Sequence, residues 1–508
     1  MLRGGKLNKR SVLLCLAVIW TAVLIWAGFS GVLPGPPFSG EMLLQVTALS
    51  LLLTAGVLIW RAAGDKALGL FLLIAFLFGC WCAARFSVNL CPDEEGRILL
   101  SNWIFQKGTL PTGYEYELID PDPFLDPYHD YSSPNWGYDY AFTPYLPSML
   151  GGLAMKAASL VTQDPKMLLF AARCVDLAGY AVLCFYAFRL AKECLTTCRG
   201  AFVLLICGLP QVQFLAGYLN NDLFSLMSSV MIFYYLMRGK RTGWDTASCM
   251  GLGVSVSVSL LTYYFGYGLI LAGALYALAD CVSAAKRVGG SRREQILYVL
   301  KRAGIVAGIV LLLAGWYFIR NLIIYDGDLF GIASQHRCAE LYEQAGHEVY
   351  DPPTIYDRGA TWKYFFDITM KSAVGIFGYM DILMPDGVYL LFDGLFLTGL
   401  LLYLPLLTQR LKNRQGRRSH LCLLFAVFAP VCFSIYRSAT YDFEPQGRYL
   451  ISALPAVAYL TASGYGWLEK KAQGENGRTF DADCFLCPLL IALWLYAAVR
   501  YLIPLASA

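Results

Sequence analysis

The chain has 508 residues, of which 57% are hydrophobic and 15% charged, and its formal net charge is +4. A soluble globular chain carries about 25% charged residues. The deficit, together with repeated apolar runs of about 20 residues, predicts a helical integral membrane protein and excludes a soluble enzyme as the default. No basic stripe with interleaved aromatics suggests nucleic acid.

Arg3, Lys6, Lys9 and Arg10 precede an apolar run from Val12 to Gly28. Signal peptides share that pattern, but the run is long and Gly28-Phe29-Ser30-Gly31 is a poor cleavage site, so a retained first helix, about 11–30, is expected. Further apolar spans follow at about 42–60, 67–86, 167–190, 201–217, 222–237, 247–262, 264–281, 303–319, 387–407, 421–436, 449–467 and 485–505. A weaker stretch, 143–161, opens Thr143-Pro144-Tyr145-Leu146-Pro147. Basic clusters occur at 3–10, 61–66, 189–199, 238–241, 286–302, 410–418 and 470–478. All fall on one side of a membrane only if 143–161 does not cross it. The predicted architecture is therefore an all-α polytopic bundle of about 13 transmembrane helices, with the N-terminus cytoplasmic and the C-terminus extracytoplasmic. The 143–161 stretch becomes an interfacial or re-entrant helix on the outer face. Residues 1–62 form an N-terminal helical pair, and 63–508 a main transmembrane domain with two long outer loops, 87–166 and 320–386.

Both loops are acidic and aromatic. Trp103, Tyr114, Tyr116, Tyr128, Tyr131, Trp136, Tyr138 and Tyr140 argue against disorder. Flat aromatic faces suit sugar C–H surfaces, although for any single one anchoring at the interface is the default. Most of the 16 cysteines lie within spans and act as small hydrophobes. Cys91 and Cys338 fall in outer loops, where one disulfide is allowed. Cys484 and Cys487 read as helix-entry packing. Asp120, Asp122, Asp126 and Asp130 lack the glycine and terminal glutamate of a calcium loop, so a solvated acidic face is expected.

Three outer segments concentrate chemistry. Pro92-Asp93-Glu94-Glu95 follows directly on an apolar span, where carboxylates are costly to desolvate. Partial burial and like charge make candidate general bases, while Pro92 and the acids also suit a helix start. Asn220-Asn221-Asp222 is the second, with Asp222 placed to cap the next helix or to orient an acceptor. The third is Tyr441-Asp442-Phe443-Glu444-Pro445-Gln446-Gly447-Arg448-Tyr449-Leu450. An outer arginine at a helix start is unusual. Arg448 has the bidentate geometry for phosphate, Gly447 allows close backbone approach, and Arg437 fits headgroup snorkelling. Arg320, closing the 303–319 span, is a further phosphate candidate.

This order of motifs resembles the GT-C superfamily of membrane glycosyltransferases, which includes protein O-mannosyltransferases and the lipid A aminoarabinose transferases. It is most similar to bacterial membrane proteins of the DUF2142 type, on Pro92-Asp93-Glu94, Asn220-Asn221-Asp222 and Gln446-Gly447-Arg448-Tyr449-Leu450. The resemblance covers roughly residues 65–470. It departs from the pattern at Glu95-Gly96-Arg97, where a histidine often follows, and in the additional helical pair before residue 62.

The resemblance implies a GT-C-type bundle in the bacterial plasma membrane. It implies a glycosyltransferase moving a hexose or pentose, with inversion, from a polyprenyl-phosphate donor to an extracytoplasmic glycan, lipid or protein. Asp93, Glu94 and Asp222 are the catalytic candidates; Arg448, Arg320, Gln446 and Tyr449 are the donor-phosphate candidates. No cofactor or metal is expected, although acidic loops leave a divalent ion open. The alternatives are a transporter or flippase for a lipid-linked sugar, or a non-catalytic polysaccharide-assembly protein.

Overall fold

The computed structural model describes residues 40–115, 139–344, 352–472 and 481–507. The first apolar run and the Asp120–Asp130 repeat lie outside them. The described chain is almost wholly helical. Its one sheet is a two-stranded antiparallel hairpin pairing Ile376 with Leu383 and Phe377 with Ile382.

Among the described residues, seven helices are long and apolar enough to cross a membrane: Asp65–Arg85, Pro165–Cys194, Tyr264–Val288, Arg292–Ile324, Asp386–Leu411, Arg414–Thr440 and Asp483–Leu505. Their apolar side chains point outward as well as inward. The Arg292–Val310 stretch has no buried residue, and Leu311, Leu312 and Ile323 stand exposed. A helix that is apolar on its exposed side has lipid as its natural solvent.

The predicted 222–237 and 449–467 spans are core helices. Asp222–Thr242 is buried along nearly all its length and carries Ser225, Ser228 and Ser229 inward; the last two donate to the Ser225 carbonyl at 3.0 and 2.8 Å. The second span starts as a 3₁₀ turn, Gly447–Ala453, and continues as Leu454–Ala472. It crosses Asp386–Leu411 backbone to backbone. A Cβ on Gly464 would lie 1.9 Å from the Gly399 carbonyl, the close approach that small residues permit between membrane helices.

One expectation is corrected and one open question is answered. The 201–217 span is not one helix: Arg199–Cys207 and Pro210–Leu215 are separated at Gly208-Leu209, because Pro210 has no N–H to continue the ladder. Its residues are buried throughout, so the apolar run reports the core and not lipid. The allowed disulfide between Cys91 and Cys338 is not formed; Cys91 packs in the main core, and Cys338 packs with Phe142 and Tyr325.

The 143–161 stretch forms the 13-residue helix Leu146–Ala158. At about 20 Å it is too short to span a hydrocarbon layer of about 30 Å. Within the first long loop it packs between Glu94–Lys107 and Pro165–Cys194. The second long loop folds as Ile332–Gln344, Trp362–Gly375 and the hairpin.

Candidate functional site

The turn after Asp65–Arg85 determines the site. Asp93 adopts a left-handed backbone, φ 63° and ψ 0°, which costs a non-glycine residue about 1–2 kcal/mol unless its side chain is short and polar. The helix Glu94–Lys107 starts immediately after it. Asp93 sits at the N-cap position yet makes no capping hydrogen bond. Its carboxylate turns away to meet Arg448, whose Nη2 donates to Oδ2. Arg97, one helical turn on, lies 4.0 Å from the same oxygen, and the Tyr140 hydroxyl donates to the carboxylate.

The Asn220-Asn221-Asp222 turn brings the second acid. Asn220 fixes the turn from within: its amide donates to the Leu215 and Tyr218 carbonyls at 2.6 and 2.8 Å, and its Oδ1 accepts from the Leu223 N–H at 2.9 Å. Asn221 donates to the Pro144 carbonyl at 3.0 Å, which docks the first loop on this turn. Asp222 is then left facing Arg448, with its Oδ2 3.7 Å from Nη1.

Two acids and two arginines therefore converge from three segments far apart in sequence. The Asp93 side chain is 26% exposed, whereas those of Arg448, Arg97 and Asp222 are 3%, 3% and 1% exposed. One carboxylate is reachable from outside, and the cations lie behind it. Burial pushes the Asp93 carboxyl up, but Arg448 and Arg97 outweigh it and hold the group below the usual carboxylate range. Among the described residues, several buried atoms at the site have no hydrogen-bond partner: Arg448 Nη1, Arg97 Nε and Nη1, and Asp222 Oδ1. Unsatisfied charged donors are rare in protein interiors, where water, an ion or a ligand completes them.

The remaining candidates separate. Glu94 is fully buried and saturated: Arg173 donates to both its oxygens at 2.8 and 2.6 Å, and the Leu219 N–H donates at 2.8 Å. Arg173 also reaches the Ala83 and Phe86 carbonyls at 2.9 and 2.7 Å. The pair thus ties together a span end, the Asp93 helix and the Asn220 turn. Gln446 accepts from Arg448 Nε and orients the guanidinium. The Tyr449 hydroxyl donates to Glu444 at 2.6 Å, and its ring stacks on Phe265. Arg320 joins a different set, donating to the Pro111 carbonyl at 2.6 Å. Arg437 pairs with Glu444 at 3.0 Å and is held in this turn, not snorkelled into headgroups.

Gly447 allows a close approach to protein: a Cβ there would lie 2.2 Å from Ala373 N and 2.3 Å from the Thr369 carbonyl. Both are backbone atoms, so no rotamer relieves the clash. Gly447→Ala is expected to destabilise by about 1–3 kcal/mol and to move Arg448 off Asp93. A thermal melt of the detergent-solubilised variant checks this.

Reading the sequence missed Arg173 and Arg97. Arg173 was visible as a charge inside the apolar 167–190 span, where an ionisable residue calls for a buried partner. Arg97 stands one turn after Asp93, the spacing for an i,i+4 ion pair.

Helices of this length and outward apolarity define a polytopic membrane protein, with a polar cluster as its candidate site. The profile of the family described as predicted membrane protein (DUF2142) matches residues 129–457, and the chain belongs to that family. The match includes the Asn220 and Gln446 motifs and begins after Asp93. No curated protein matches the chain. Among solved structures, it is similar to ArnT from Cupriavidus metallidurans (14% identity, TM-score 0.47, 81% of this chain and 62% of that one). It is also similar to the Archaeoglobus fulgidus oligosaccharyltransferase tethered with an acceptor peptide (14% identity, TM-score 0.43, 88% and 55%). A third similar structure is the archaeal oligosaccharyltransferase AglB from Archaeoglobus fulgidus in complex with an inhibitory peptide and a dolichol-phosphate (13% identity, TM-score 0.41, 87% and 56%). The chain thus spans less than two thirds of the length of each.

Proposed function

We propose that the protein is a GT-C-type glycosyltransferase that moves a sugar from a polyprenyl phosphate to an acceptor outside the cytoplasm. The observation that carries this reading is the partly exposed, ionised Asp93 set against two buried arginines whose N–H groups are not all partnered among the described residues. An acid alone would suit many hydrolytic or binding roles. An acid in front of unsatisfied guanidinium donors suits a reaction in which a hydroxyl attacks and a phosphate leaves.

In this reading the phosphodiester of the donor lies against Arg448 and Arg97, supplying acceptor oxygens to their free nitrogens. The acceptor hydroxyl oxygen attacks the anomeric carbon, and the bond from that carbon to the phosphate oxygen breaks with its electron pair on the phosphate. The acceptor proton passes to Asp93. Charge develops on the departing oxygen, where a preorganised arginine is worth about 10²–10³ in rate. Phosphate also draws Arg448 away from Asp93, and the carboxylate becomes a stronger base as that cation is shared. Asp222 holds Arg448 from the far side, and Gln446 fixes its plane. Glu94 is assigned to positioning, since both its oxygens are occupied.

The test uses the purified full chain in lipid nanodiscs with a panel of polyprenyl-phosphate sugars and membrane-extracted acceptors, followed by mass spectrometry. Donor loss with formation of a glycosylated acceptor is expected for one sugar of the panel. If no donor of the panel is consumed with acceptor in excess, and the same donor crosses the bilayer of reconstituted vesicles, the transferase is overturned in favour of a flippase.

A further inference from the structure

The helix Asp222–Thr242 starts at the candidate site. At its other end, about 27 Å along the axis, it borders a second cavity of about 370 Å³. The rim is polar and partly exposed. Lys240 comes from the last turn of this helix and Arg410 from the last turn of Asp386–Leu411. Gln415 and Ser419 come from the start of Arg414–Thr440. The floor is buried and apolar, built from Phe202, Phe233 and Leu236.

The charges of this rim do not cancel. Glu193 also lines the cavity, but Arg241 takes both its oxygens at 2.7 Å each. Arg410 is held by the hydroxyls of Tyr459 and Tyr403, which are neutral partners. His420 adds no compensating group: its Nδ1 lies 2.7 Å from the Gly416 carbonyl and its Nε2 faces the Tyr403 hydroxyl. Among the described residues, Lys240 and Arg410 pair with no carboxylate. A helix N-terminus beside them adds positive potential. Two uncompensated cations above an apolar floor match a ligand with an anionic head and an apolar tail.

We propose that this cavity binds the headgroup of a phosphate-bearing anionic lipid, with Arg410 and Lys240 on the phosphate and the first chain carbons on Phe202 and Phe233. A soluble phosphate shares the head chemistry but leaves the apolar floor unused. The site shares no residue with the candidate transferase site and does not depend on that reading.

The test is native mass spectrometry of the detergent-solubilised full chain, titrated separately with phosphatidylglycerol, phosphatidylcholine and inorganic phosphate. Saturable phosphatidylglycerol binding, stronger than phosphatidylcholine, is expected for the wild type. Losing one charge-assisted contact weakens it about tenfold in Lys240→Gln and in Arg410→Gln. Arg410 also braces two tyrosines, so Lys240→Gln, with an unchanged melting temperature, is the deciding variant. Equal phosphatidylglycerol binding by wild type and Lys240→Gln overturns the site. Saturable inorganic phosphate with no lipid preference overturns the lipid assignment.

Discussion

Asp93→Asn is expected to lower the transfer rate by about 10²–10⁴-fold, the usual contribution of a positioned general base, while leaving a folded protein. The choice of asparagine follows from the backbone. At φ 63° the position is left-handed, and asparagine is among the few residues that occupy that region readily. Asp93→Ala would add the strain of a left-handed non-polar residue, about 1–2 kcal/mol, and so mix folding with chemistry. In Asp93→Asn, Arg448 keeps Gln446 on Nε and Asp222 at 3.7 Å, so the cation is not abandoned. The pH profile supplies an independent check. Arg448 and Arg97 hold the Asp93 carboxyl below its usual range despite burial. A depressed folded value means that the ionised form, and the stability it lends, is fully present above the unfolded carboxylate value of about 3.9 and is lost only as pH falls through the lower folded value. Wild-type activity is therefore expected to show no acid limb from Asp93 near neutrality. Arg448→Gln removes the main opposing charge and leaves burial, so any residual activity should acquire an acid limb at higher pH. Initial rates of donor loss measured from pH 5 to 8 decide it; a wild-type limb near pH 6 that vanishes in Asp93→Asn would contradict an ionised resting base.

The membrane character and most helices were legible from composition and apolar runs, because lipid leaves a chain little choice but helices. The common face of Asp93, Asp222 and Arg448 was legible from the basic clusters, and the three do meet. Other features were hidden for physical reasons. An apolar run that faces lipid and one that faces protein have the same composition, so the break at Pro210 within 201–217 read as a span. Side-chain direction at a turn depends on one dihedral angle. Nothing in Pro92-Asp93-Glu94 announces that Asp93 goes left-handed and sends two neighbouring carboxylates to different arginines. Arg320 and Arg448 looked alike as outer arginines at helix ends, and only the tertiary path of the Pro111 segment separates them.

Glu94→Gln should produce the largest loss of stability of any conservative change near the site, about 3–5 kcal/mol, the cost of breaking a buried ion pair on one side. Glutamine has the shape of glutamate but turns one acceptor into a donor. In either orientation that donor would face an Arg173 nitrogen, Nη2 at 2.6 Å or Nε at 2.8 Å, and in the second it would face the Leu219 N–H at 2.8 Å as well. The guanidinium would remain buried at 2% exposure without its counter-charge, and the clasp joining Ala83, Phe86 and Leu219 would loosen. A thermal melt by size-exclusion retention should show the drop, and activity corrected for the folded fraction should stay within a few-fold of wild type. The double change Glu94→Leu with Arg173→Met removes both charges together. It should cost less than the sum of the two single changes, since neither ion is then stranded. A Glu94→Gln protein that melts like wild type yet loses transfer would return Glu94 to the reacting centre. The saturation of its oxygens argues for the opposite outcome: of two adjacent acids at the mouth of one helix, the partly exposed one is expected to meet substrate and the buried one to hold the turn that aims it.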